Sequence, residues 1–152
     1  MKLAEGLVLR ADTKKRIEQL RERLKSSALV QEGEEPPENP EELFRELHRL
    51  LELMTSLVQR INRTNLTAAL PDGKSLTTAL AERDTLSLHY NVLETTATAA
   101  TPKFDRAGRS EIKKIATVKV SEIRRQLDDI ARERRELDTK IQCANWTEDL
   151  LE

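Results

Sequence analysis

Aromatic side chains are nearly missing from this chain: two Phe, one Tyr and one Trp stand among 152 residues. With so few large rings and 35% charged residues, the composition excludes the usual β-sandwich or α/β enzyme and suits long helices laced with surface ions. Cysteine is as scarce. Cys143 stands alone, so no intramolecular disulfide can form, and a reducing cytoplasm is the expected compartment. Long apolar runs are absent too. No 18 apolar residues follow one another, and the region around Lys2, Glu5, Arg10 and Asp12 lacks the apolar core of a signal peptide, so neither membrane spanning nor export is expected. Nor is there an excess of one charge. The 26 basic and 27 acidic residues leave a formal net charge of −1, which argues against nucleic acid or an anionic membrane as partner.

What the chain does have is heptad order. Leu43, Leu47, Leu50, Met54, Leu57 and Ile61 alternate in steps of three and four, as do Val120, Ile123, Leu127, Ile130, Leu137, Ile141 and Ala144 with one gap. Each set lies on one helical stripe that must be covered by other helices. Phe44, Leu51 and Val58 form a second stripe beside the first, which predicts a helix covered on two sides.

The fold class that follows is mainly α, a four-helix antiparallel coiled-coil-like bundle forming a single domain over 1–152. Helices are expected over about 3–25, 40–61, 76–100 and 120–144. The first points Leu3, Leu7, Ala11, Ile17, Leu20 and Leu24 inward. An acidic loop, 26–39, carries Gly33, Pro36 and Pro37; Asn39 then caps the second helix, with Pro40 at its first position and Glu42 placed for a capping box. Pro71, Asp72 and Gly73 make a tight turn. The segment 102–118 has no helical period, and Ile115 to Val120 is β-rich enough for a short strand or extended arm, which predicts a small irregular or β-containing arm.

Several segments in order, Val30-Gln31-Glu32-Gly33-Glu34, Ile61-Asn62-Arg63-Thr64-Asn65, Asp72-Gly73 followed by Ala79-Leu80-Ala81-Glu82-Arg83-Asp84, Arg109-Ser110-Glu111-Ile112-Lys113, and Ala144-Asn145-Trp146, resemble the septicolysin-like family of small uncharacterised bacterial proteins. An aromatic and then a proline often follow the Ser-Glu-Ile-Lys element in that family, where this chain has Lys114 and Ala116. The resemblance implies a helical cytoplasmic protein and supplies no catalytic residue. Its name suggests a membrane-active cytolysin, but cholesterol-dependent cytolysins are large, β-rich and tryptophan-rich, unlike this chain.

No catalytic motif emerges. Cys143 falls at the end of the bundle away from His48 and His89, which rules out a Cys/His nucleophile pair and leaves Cys143 as a partly buried packing residue. His48, His89 and Glu133 share a level, but without a Glu-x-x-His element no metal site is expected. Arg134 occupies a heptad core position, where it must snorkel or meet a partner. Unusual polar residues gather at one pole: Asn62, Arg63 and Asn65 leaving the second helix, Asp72 in the turn, Arg83 and Asp84 early in the third, and Asn145 with Trp146 leaving the fourth. They read either as caps for helix ends or as a site where Arg63 and Arg83 hold a small anion or a partner peptide against Trp146. The functional expectation is a non-enzymatic interaction or assembly protein, a homo-oligomer without cofactor. The alternatives are a small-anion or metabolite-binding protein or hydrolase at that pole, and, from the family name alone, a cytolysin.

Overall fold

In a computed structural model, which describes residues 1–101 and 114–152, the protein is mainly helical: four helices hold 76% of the described residues and no strand occurs among them. The helices are α1 (Leu3–Ser27), α2 (Pro40–Thr67), α3 (Leu76–Ala100) and α4 (Val120–Thr147). The expected helix order holds, and α1, α2 and α4 each run a few residues longer at their C-terminal ends. In α2 the extension takes in Asn62, Arg63 and Asn65, which the sequence pattern places just beyond the helix end.

Local chemistry sets the boundaries. Asn39 caps α2 as expected, its Oδ1 accepting from the Glu41 amide at 3.0 Å, with Pro40 at the first helical position. The turn after α2 is closed by an isolated bridge between Ala69 and Ser75, with Leu70 N donating to Lys74 O and Asp72 Oδ1 accepting from Lys74 N. Gly73, at φ 84°, supplies the left-handed residue this turn requires. Lys119 O accepts from the amides of Glu122 and Ile123 and so starts α4. Of the short strand or extended arm expected over Ile115 to Val120, the strand is not formed: 114–119 carry no regular secondary structure, Val120 is already helical, and no described strand is paired there. The rest of the expected arm, with the Arg109–Lys113 element, lies outside the described residues.

The described residues fall into two compact units, Met1–Ser75 with Gln142–Glu152, and Leu76–Ile141. In the first, α1 and α2 form an antiparallel hairpin around Leu20, Leu43 and Leu50, with Ile17, Leu24 and Leu47 packed against them. Ion pairs between Arg16 and Glu46 (3.3 Å) and between Arg23 and Glu38 (2.9 Å) fix its register. Ala11, expected inward, faces solvent; Thr13 is buried instead, its hydroxyl donating to Leu9 O at 2.7 Å. That bond lets a polar side chain occupy the inner face.

The last residues strap the open end of the same hairpin. Leu3 N donates to Glu148 O and Leu150 N to Met1 O, both at 2.9 Å, forming the antiparallel bridge between Lys2 and Asp149. Lys2 Nζ reaches Asp149 Oδ1 at 2.9 Å and Thr147 O at 2.8 Å. On the α2 side, buried Thr64 accepts from Leu151 N at 3.0 Å and donates to Arg60 O.

In the second unit, α3 and α4 meet through Arg83 and Asp138 (3.6 Å) and through the Arg134 guanidinium, 5.5 Å from the centre of the Tyr90 ring. The ring is thus the partner that Arg134 needs at a heptad core position.

Candidate functional site

Of the second apolar stripe on α2, Val58 is half-buried but Phe44 and Leu51 lie open. Phe44 and Leu51 are 49% and 44% exposed, against 4% for Leu50 on the neighbouring stripe. The expectation of a helix buried on two sides is therefore corrected within this unit. Along the half of α2 that holds Phe44 and Leu51, α1 covers one stripe, and two cylinders in contact leave a furrow beside the contact line.

That furrow is an open apolar groove of about 750 Å³. Ile17 and Leu24 of α1 and Leu47 of α2 line it together with Phe44 and Leu51; Arg21 and Lys25 flank it on the α1 side, and Ser27, Ala28 and Pro40 close the end near the interhelical loop. Ser27 is buried, and its Oγ has no hydrogen-bond partner among the described residues. Along α2, Leu51 also borders a second, more open depression lined by His48, Glu52, Thr55, Ser56 and Gln59. Chemically, the groove is suited to desolvating an apolar surface of complementary shape. It holds no nucleophile paired with a base, and no cluster of three His, Cys, Asp or Glu among the described residues is placed to hold a metal.

The polar residues expected to converge at one pole are distributed as follows. Arg63 donates to the backbone oxygen of Glu152 at 2.8 Å, and its neighbour Arg60 donates to Leu151 O at 2.9 Å; both guanidiniums hold the C-terminal strap. Asn145 is buried, Trp146 is 62% exposed, Asn62 is exposed, and Asn65 is half-buried on α2. Asp72 serves the turn. Arg83 and Asp84 belong to the second unit, where Arg83 contacts Asp84 at 3.0 Å and Asp138 at 3.6 Å. Cys143, expected to be partly buried, is exposed, because it lies off the α4 stripe that Ile141 and Ala144 bury. His48 and His89 are both exposed.

Two carboxyls elsewhere in the first unit have displaced pKa values. A hydrogen bond from Arg23 holds the Glu38 carboxyl below its ordinary value, and one from Lys2 does the same for Asp149. Both pairs tie ends of the hairpin together and stand apart from the groove.

Sequence reasoning named Ile17, Leu24, Phe44, Leu47 and Leu51 but assigned them to the core, and it placed Ala28 in the acidic loop and Pro40 at a helix start. The signal that could have separated groove from core is width: α2 carries more apolar arc than one antiparallel partner covers.

A family model described as a family of unknown function (DUF6847) matches residues 10–150, and the chain belongs to that family. It is similar to a crystal structure of a functionally unknown conserved protein from Corynebacterium diphtheriae, at 41% identity over 99% of both chains and a TM-score of 0.94. No curated protein matches it.

Proposed function

We propose that this member of the family is a non-enzymatic interaction and assembly protein that works as a homo-oligomer, docking through the groove of the α1–α2 hairpin. The observation that carries this reading is the exposure of Phe44 and Leu51 side by side along an open apolar furrow, at positions where the heptad pattern demands cover. A soluble helix that leaves such a row in water loses the free energy its burial would return, about 1.5–3 kcal/mol for each large apolar side chain fully covered. Association is the route by which a surface of this kind regains it, in packing of the coiled-coil type. The cytoplasm is the compartment this reading adopts, since the single exposed cysteine is kept reduced there. The resemblance to septicolysin-like proteins enters it as one of helical architecture rather than of cytolysis; no described helix is long and apolar enough to cross a membrane.

Light scattering after size exclusion tests the reading. The expected mass is a multiple of the 17.4 kDa chain at micromolar concentration. The double variant Phe44→Asp, Leu51→Asp is expected to return to the single-chain mass with its helix content unchanged, because both positions are half-exposed in the lone chain. A wild-type chain that stays at 17.4 kDa at high micromolar concentration overturns the proposal.

A further inference from the structure

Residues 148–152 leave α4 and cross the open end of the α1–α2 hairpin as a non-helical segment, and the hairpin holds them as a receptor holds a peptide. Five hydrogen bonds engage the segment's main chain. Leu3 N donates to Glu148 O, Leu150 N donates to Met1 O, and Leu151 N donates to the Thr64 hydroxyl. Arg60 and Arg63 donate to the backbone oxygens of Leu151 and Glu152. Bonds of this kind fix the direction and path of a peptide but leave its sequence open.

Side chains supply the selection. Leu150, the only buried residue of the five, rests on the bare backbone of Gly6, where an added Cβ would come within 2.7 Å of it. Asp149 meets Lys2 Nζ at 2.9 Å. The charges match more widely, since the segment carries Glu148, Asp149 and Glu152 while the residues that grip it include Lys2, Arg60 and Arg63. The hold is nonetheless shallow. The Asp149 and Lys2 side chains are 76% and 42% exposed, and an exposed pair contributes little. One leucine and main-chain bonds that any extended peptide can make therefore do most of the holding, helped by the covalent tether, which keeps the segment at high effective concentration. The cleft itself does not need the strap to be built. Gly6, Arg60 and Thr64 stand on α1 and α2, which pack on each other around Leu20, Leu43 and Leu50.

We infer that the open end of the α1–α2 hairpin is a cleft for an extended acidic peptide in which a leucine follows Asp or Glu, and that residues 148–152 occupy it as a built-in competitor. A partner segment of that chemistry enters by displacing the strap, so the strap sets the affinity such a partner must reach. The cleft lies at the other end of the hairpin from the groove lined by Phe44 and Leu51 and does not depend on self-association.

Fluorescence anisotropy of a labelled synthetic peptide with the sequence of residues 145–152, titrated with the full chain, tests it. In Leu150→Asp the strap loses its anchor, and the peptide is expected to bind about tenfold or more tightly than to the wild type, where the tethered strap competes. Hydrogen exchange at the Leu3 amide reports the position. It is expected to speed up in Leu150→Asp and to slow again when peptide is added, because the peptide restores the acceptor that Glu148 O provides. Adding Gly6→Leu to Leu150→Asp fills the socket from the α1 side and is expected to abolish binding. Equal affinity for the wild type and Leu150→Asp puts the peptide elsewhere and overturns the proposal. So does the absence of binding to Leu150→Asp at millimolar peptide with helix content intact, which makes the strap a fixed part of the fold. If Leu150→Asp loses its helix content, Leu150→Ala takes its place and is judged by the same outcomes.

Discussion

Leu150 sits directly on the bare backbone of Gly6: a Cβ added to Gly6 would come within 2.7 Å of the leucine Cδ2. The glycine is helical, so its missing side chain answers to packing rather than to an unusual φ. It makes room for the strap, whose Leu150 is 5% exposed. Gly6→Leu is expected to destabilise by about 1–3 kcal/mol through overpacking, and Leu150→Ala by about 2–5 kcal/mol through the cavity it leaves. In urea denaturation the combination of Gly6→Ala with Leu150→Ala should cost less than the sum of its parts, since the new methyl refills space that the leucine vacated. Strict additivity would show that the two residues do not share that space.

Arg60, Arg63 and the Thr64 hydroxyl attach the strap to α2, and of these Thr64 is the buried one. Thr64→Val keeps the shape but leaves Leu151 N without the acceptor it has at 3.0 Å, and is expected to cost about 1 kcal/mol. Arg63→Ala removes an exposed contact to the strap backbone and should cost less. Hydrogen exchange at the Leu150 and Leu151 amides checks this: both should exchange faster in Thr64→Val, while the middle of α2 stays protected.

Two apolar residues of α2 should respond oppositely to concentration. Leu50→Ala empties a core position and is expected to lower unfolding stability by about 2–5 kcal/mol at any protein concentration. Phe44→Ala should leave the isolated chain nearly as stable and act mainly on self-association, so its effect on the melting temperature grows with concentration. Melting curves over a hundredfold range of concentration separate the two; parallel behaviour would mean that Phe44 is simply core.

Acid should loosen the hairpin's ends first. Arg23 and Lys2 hold Glu38 and Asp149 below their ordinary values of 4.5 and 3.8, so the folded state favours the ionised carboxylates. Their contribution is complete above those ordinary values and is lost as pH falls through the lowered ones. The melting temperature of wild type is therefore expected to fall more steeply below about pH 4.5 than that of the Glu38→Gln, Asp149→Asn variant. Identical profiles would mean that these exposed pairs do not contribute.

In the second unit, the Arg134 guanidinium lies over the Tyr90 ring. A double-mutant cycle with Arg134→Gln and Tyr90→Leu is expected to give a coupling of about 0.5–1 kcal/mol, read from urea midpoints. No coupling would make the arginine a chance neighbour of the ring.

Local patterns determined much of this protein by themselves. Heptad spacing marked α2 and α4 and looser helical periodicity marked α1 and α3, Asn39-Pro40 marked where α2 begins, and Pro71-Asp72-Gly73 marked the turn, because caps, turns and helical periodicity are set by residues a few positions apart. The same locality limited the reading. A stripe of Phe44 and Leu51 says that cover is wanted but not whether the chain provides it, and only the packing of α1 against one side of α2 decided that it does not. Arg63 was legible as an unusual polar residue, yet its engagement with the backbone of Glu152 joins positions far apart in the chain and has no local signature. Ile115 to Val120 shows the converse: β propensity was present, but a strand needs a paired neighbour, which no sequence window contains. Gly6 was silent in the sequence, because an absent side chain acquires meaning only when tertiary structure lays Leu150 across it.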